Sequence, residues 1–129
     1  MGITGEQVAA LRAQLEPDAD EHSDDFRALL SAAFHVAVRR RFTDRTRASD
    51  VIEFVGEIRA ESTAAATAID PRTAERMILA VAGDEEVGDI TAGVRFEQQV
   101  ALLTEMIPGA GELDAFVADA RELADQWLA

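Results

Sequence analysis

Along this chain apolar residues recur three and four positions apart far more often than they alternate, and helix-cap chemistry fills the gaps between periodic runs. The pattern predicts an all-α fold, a single compact bundle of five to six helices with residues 1–129 forming one domain and no strand.

The first helix is expected over 5–15, capped by Thr4 with Gln7 completing a capping box, its stripe formed by Val8, Leu11 and Leu15 and its end set by Pro17. After the polar linker Asp18 to Ser23 comes the cleanest period in the chain. Over 24–41, Phe26, Leu29, Leu30, Ala33, Phe34, Ala37 and Val38 share one face, which predicts a central core helix ending in Arg39, Arg40 and Arg41. A third helix is expected after Ser49 and runs to Glu61, with Val51, Ile52, Phe54, Val55 and Ile58 buried. Residues 62–68 mix Ser and Thr with Ala, and the pattern leaves them as either helix or loop.

The strongest local signal is Asp70 followed by Pro71, an N-cap and a proline at the first helical position. It predicts a helix over 71–82 that buries Ala74, Met77, Ile78 and Val81 and stops at Gly83. A fifth helix follows the acidic connector 84–89 and runs to Ile107, with Ile90, Phe96, Val100, Leu103 and Ile107 as its seam. Gly93 falls within it. An interior helical glycine costs about 0.5–1 kcal/mol relative to alanine, so Gly93 predicts close approach by another helix and a penalty for Gly93→Ala. The last helix, 112–128, is expected to bury Leu113, Phe116, Val117, Ala120 and Leu123, with Trp127 pinning its end.

Composition narrows the chemistry. The chain has no Cys, which removes disulfides, thiolate catalysis and Cys-ligated zinc, and all 12 of its basic residues are Arg. No run of 18 apolar residues suggests a membrane span, and the amino terminus lacks the basic-then-apolar pattern of a secretion signal, so the expected location is cytoplasmic. The net charge of −13 is segregated: residues 1–26 carry −6, residues 27–47 carry +5 and residues 48–129 carry −12. One basic island, Arg27, Arg39, Arg40, Arg41, Arg45 and Arg47, thus sits in an acidic protein. Guanidinium groups suit carboxylates and phosphates alike. The overall charge opposes binding to a polyanion, so nucleic acid is not the expected partner.

No catalytic constellation stands out. Neither His fits a Glu-x-x-His metal motif: His22 lies in the linker and His35 has Ala32 three residues before it. Glu86-x-x-Asp89 and Asp50-x-x-Glu53 imitate half of a magnesium site each, but Glu86 precedes its helix instead of lying within it. The expectation is no metal and no cofactor. A carboxylate-lined pocket would need Asp50, Glu53, Glu57, Glu86 and Asp89 to converge.

Through Ile69-Asp-Pro-Arg-Thr-Ala-Glu-Arg76, Glu112-Leu-Asp-Ala-Phe116 and Trp127, the chain resembles small, uncharacterised all-helical actinobacterial proteins. Some of these look like companions of bacterial conflict systems, encoded beside protease-like or repeat-containing effectors. The matching positions are caps and core, so the resemblance implies a fold and carries no activity across. Together these features predict a non-enzymatic protein–protein interaction module, with Arg39, Arg40, Arg41, Arg45 and Arg47 as the contact and a homodimer as a further form of assembly. The alternative is a small-ligand or metal-dependent enzyme with a carboxylate-lined pocket between helices.

Overall fold

In the computed structural model, which describes residues 3, 5–15, 23–83 and 88–128, the chain folds into helices α1 (Gly5–Leu15), α2 (Ser23–Arg41), α3 (Ala48–Glu61), α4 (Thr63–Ala68), α5 (Pro71–Ala82), α6 (Ala92–Met106) and α7 (Ala110–Leu128). No strand occurs among the described residues. Among the described residues, no helix is long and apolar enough to cross a membrane. The expected Thr4 cap and the linker at 18–22 lie outside the described residues.

Two helices form a wall through the middle. On one side α2 presents Phe34, Val38 and Phe42, and α6 presents Ala101 and Leu102, to a core completed by Val51, Val55 and Ile58 of α3 and Ala74, Met77 and Ile78 of α5. On the other side Leu30, Ala33 and Ala37 of α2 and Val100 and Leu103 of α6 meet Leu11 and Leu15 of α1 and Phe116 and Ala120 of α7. Both wall helices are therefore apolar over more than one stripe, as elements packed on two sides must be.

Within residues 62–68, Thr63–Ala68 form a separate short helix, which raises the count among the described residues to seven. Ser62 is extended (φ −157°, ψ 157°), which stops α3, and its hydroxyl accepts from the Ala65 N–H at 3.0 Å, which starts α4. Ser62 is thus the C-cap of one helix and the N-cap of the next. The Asp70-Pro71 signal holds: the Asp70 carboxylate accepts from the Thr73 N–H at 2.9 Å and Pro71 opens α5.

The turn between α4 and α5 dips into the core, and side chains from neighbouring helices satisfy its backbone. Gln98 of α6 accepts from the Asp70 N–H through Oε1 and donates to the Ala68 carbonyl through Nε2, both at 3.0 Å. Arg59 of α3 donates to the Ile69 carbonyl at 3.0 Å and to the Ala66 carbonyl at 3.1 Å. At the other end of the molecule, Arg121 of α7 donates to the Leu15 carbonyl at 3.1 Å, serving the carbonyl end of α1.

Several expectations are corrected. α6 begins at Ala92 with Thr91 as its cap, so Ile90 is buried just before the helix and outside its seam. Ile52 is 52% exposed, because the buried stripe of α3 at 51, 54, 55 and 58 points away from it. Trp127 is 48% exposed; its ring meets His35 edge-on, centroids 5.6 Å apart, so it docks at the rim of the bundle without burial. Gly93 is exposed, and a Cβ there would meet nothing within 4 Å, so no helix approaches it.

Two stability predictions follow from this geometry. Gly93→Ala should stabilise the protein slightly, by up to about 0.5 kcal/mol in chemical denaturation, the reverse of the close-contact expectation, because the alanine meets open space and gains part of the interior helix propensity in the first turn of α6. Asp70→Ala should cost about 1 kcal/mol at neutral pH. The Thr73 hydroxyl and N–H hold Asp70 below the ordinary carboxyl value of 3.8, so its cap stabilises fully above that value and is lost as pH falls through the lower folded-state value. Urea titrations at neutral and acid pH should therefore show the Asp70→Ala deficit shrinking in acid.

Candidate functional site

Five arginines of the basic island, Arg39, Arg40, Arg41, Arg45 and Arg47, occupy the corner where α2 ends and α3 begins, while Arg27 lies near the start of α2, over Phe96. The α2 helix closes with the Phe42 N–H donating to the Val38 carbonyl at 2.7 Å. The turn that follows is braced by Thr43 and Thr46, the Thr43 N–H donating to Thr46 Oγ1 at 2.8 Å and the Arg45 N–H to Thr43 Oγ1 at 3.2 Å. Arg47 then starts α3, its N–H donating to the Asp50 carboxylate at 3.1 Å. Asp50 in the first turn also complements the positive end of the helix dipole. The start of α3 at Ala48, two residues earlier than the expected start after Ser49, follows from this contact.

The five arginines divide into different roles. Arg40 donates to the Asp119 carboxylate at 2.6 Å and lies over the Phe116 ring, 5.3 Å from its centroid, which ties the end of α2 to α7. Arg41 lies over Phe54, 4.3 Å from its centroid, and shields the T-shaped Phe42–Phe54 pair whose centroids are 5.2 Å apart. Arg39 is exposed, and Arg45 and Arg47 are exposed without an ion-pair partner among the described residues. Two arginines therefore hold the corner together, and two more reach from it into solvent.

The carboxylates divide as well. Asp50, Glu53 and Glu57 border a shallow depression of about 400 Å³ that also includes Arg41, Phe42 and Thr46. Spacings of three and four along α3 account for their shared face. Asp89 lies elsewhere, paired with Arg76, whose guanidinium holds the carboxyl below its ordinary range. Glu86 lies outside the described residues. Among the described residues, no group of three His, Asp or Glu side chains is placed to hold a metal ion. His35 is half-buried on the flank of the Phe34 stripe, and His22 lies outside the described residues.

Sequence reasoning passed over one feature, a cavity bounded by α2, α5, α6 and the end of α7, with Phe34, Met77, Gln99 and Trp127 among its walls. Its signal was present. Gln99 stands three residues after Phe96 and four before Leu103, a polar residue placed on an apolar helical stripe.

The division of the arginines is testable by denaturant unfolding. Arg40→Ala should lower stability by about 1 kcal/mol, the scale of one exposed ion pair plus one cation–π contact. Arg45→Ala should leave stability within about 0.5 kcal/mol of wild type.

Compared with known protein families, with characterised proteins and with solved structures, the chain finds no match.

Proposed function

We propose that this chain is a non-enzymatic protein–protein interaction module that works in the cytoplasm and meets an acidic surface of its partner with the α2–α3 corner. The observation that carries this reading is that Arg45 and Arg47 stay exposed and without an ion-pair partner among the described residues of a protein with 25 acidic residues. Exposed guanidiniums of this kind steer association and form bidentate pairs with carboxylates. Ile52, exposed in the second turn of α3, supplies an apolar anchor on the helix that Arg47 opens. Arg40 and Arg41, held on Phe116 and Phe54, keep the presenting corner rigid. Nucleic acid fits this surface less well, because Asp50, Glu53 and Glu57 stand beside the arginines and would repel a polyphosphate.

The resemblance to companions of bacterial conflict systems directs the search for the partner to proteins encoded beside this one. The alternative, an enzyme built on clustered carboxylates, has less support, since Asp89 is engaged by Arg76 and the other three border an open depression.

Tagged wild type and the Arg45→Glu/Arg47→Glu variant, each co-expressed with the products of neighbouring genes, provide the test. The wild type should retain one of them, and the double variant should lose at least about 90% of that retention with its melting temperature unchanged. Equal retention by both proteins, or retention of none, would sink the reading. A homodimer would instead appear in sedimentation as a doubled mass that Ile52→Asp halves.

A further inference from the structure

Among the described residues, the cavity bounded by α2, α5, α6 and the end of α7 keeps one polar side-chain group for a ligand. Its volume of about 540 Å³ lies within the range of roughly 300–1,000 Å³ usual for ligand pockets, and Phe34, Met77, Val81 and Trp127 give it apolar walls. The polar side chains along the described lining are Ser31, His35, Arg95 and Gln99. Arg95 is engaged, in part by the Ile90 carbonyl at 3.3 Å, and His35 is engaged as well, with the Trp127 ring edge-on to it. The Ser31 hydroxyl directs its one proton to Gln99 Oε1 at 3.1 Å. What is left is the other end of the Gln99 amide. This residue is only 7% exposed, and its Nε2 has no acceptor among the described residues. No enclosed side-chain nitrogen or oxygen among them lacks a partner, so Nε2 borders open space, and the space that Gln99 lines is this cavity and its side cleft.

A buried amide donor needs an acceptor oxygen and apolar walls need an apolar body, so the complementary ligand joins the two. Its charge follows from the surroundings. An anion would meet a guanidinium already engaged, and Gly88 of the lining follows Asp84, Glu85 and Glu86 in a chain of net charge −13. A cationic group brings no acceptor for Nε2. An ion of either sign would also give up hydration that one neutral amide cannot replace, whereas a neutral carbonyl loses far less. An aromatic body suits walls that hold the Phe34 and Trp127 rings and the Met77 thioether. We propose that this cavity binds a small neutral aromatic carbonyl compound, its ring against Trp127 and Met77 and its carbonyl oxygen accepting from Gln99 Nε2. This site is separate from the α2–α3 corner, and it stands whether or not the corner binds a protein.

Trp127 is the chain's one Trp, so its indole N–H gives a single resonance in a proton–nitrogen correlation spectrum, and the Gln99 amide pair is the one that Gln99→Leu removes. The probe is acetophenone, with phenylacetate and phenethylammonium as charged counterparts and toluene as the ring without an acceptor. Acetophenone should shift both the indole and the Gln99 amide resonances saturably, with a Kd of about 1 mM or tighter. Phenylacetate and phenethylammonium should each bind at least about tenfold more weakly. Gln99→Leu should weaken acetophenone about fivefold, the loss of one hydrogen bond, while toluene binds the variant at least as well as it binds wild type. Because that change also leaves Ser31 without its acceptor, a second variant, Val81→Phe at the half-buried wall, fills the chamber and should abolish the shifts with the thermal melt preserved. Arg45→Glu/Arg47→Glu should bind acetophenone as wild type does. Absence of a saturable shift, equal or tighter binding of either ion, an equal loss of acetophenone and toluene in Gln99→Leu, or a response that survives Val81→Phe would overturn the assignment.

Discussion

The bundle depends on the satisfaction of one buried turn. Ala68 and Ile69, where α4 gives way to α5, are buried, and an unmet backbone N–H or carbonyl there costs about 1–3 kcal/mol. Gln98 and Arg59 make four hydrogen bonds to this turn and its flank, so α6 and α3 are fastened to the same point. Against a net stability of about 5–15 kcal/mol for a domain, those bonds are on the scale of the whole margin. They also set the direction in which α5 leaves the turn, and hence where Met77 and Val81 stand relative to α2.

Much of the fold was legible because its signals are local. Asp70 and Pro71 announce a helix start through a side-chain cap and a fixed φ, neither of which needs a tertiary partner. The α2 stripe was equally plain, since a helix packed on two sides repeats its apolar positions densely. The failures share a cause: periodicity identifies a face, while burial depends on what lies opposite it. Ile52 and Trp127 are apolar residues left about half exposed, and Gly93 stands in open space although a seam passes close by. Gln98 is the converse. Its polarity suggests solvent, yet it is buried because a turn from a distant segment needs its amide. The separate α4 was hidden in Ser62, whose extended backbone no composition of the 62–68 stretch reveals.

The arginines show how little composition says about role. The structure places guanidiniums over four of the six Phe rings: Arg12 over Phe26, Arg27 over Phe96, Arg40 over Phe116 and Arg41 over Phe54. Each covers the edge of an aromatic core with a group that stays hydrated at its outer side. In a chain without lysine, arginine fills both the structural and the surface roles, and the cluster read from sequence as one island comprises members of both kinds. The candidate contact was thus legible as a region and not as a residue list, because only the tertiary partners Asp119, Phe116 and Phe54 distinguish a brace from a free cation.

What leaves Arg45 and Arg47 without an ion-pair partner among the described residues is in part the order of local structure along the chain. One carboxylate beside them, Asp50, accepts from the Arg47 N–H because α3 needs a cap, and a helix start in the open forgoes about 1 kcal/mol without one. An exposed ion pair offers no more than that and is weakened further by salt. The cap therefore competes successfully for Asp50, and the guanidinium side chains extend outward. Charge segregation in the sequence stays visible in the fold in part because helix initiation at α3 engages a carboxylate that could otherwise pair with a neighbouring guanidinium.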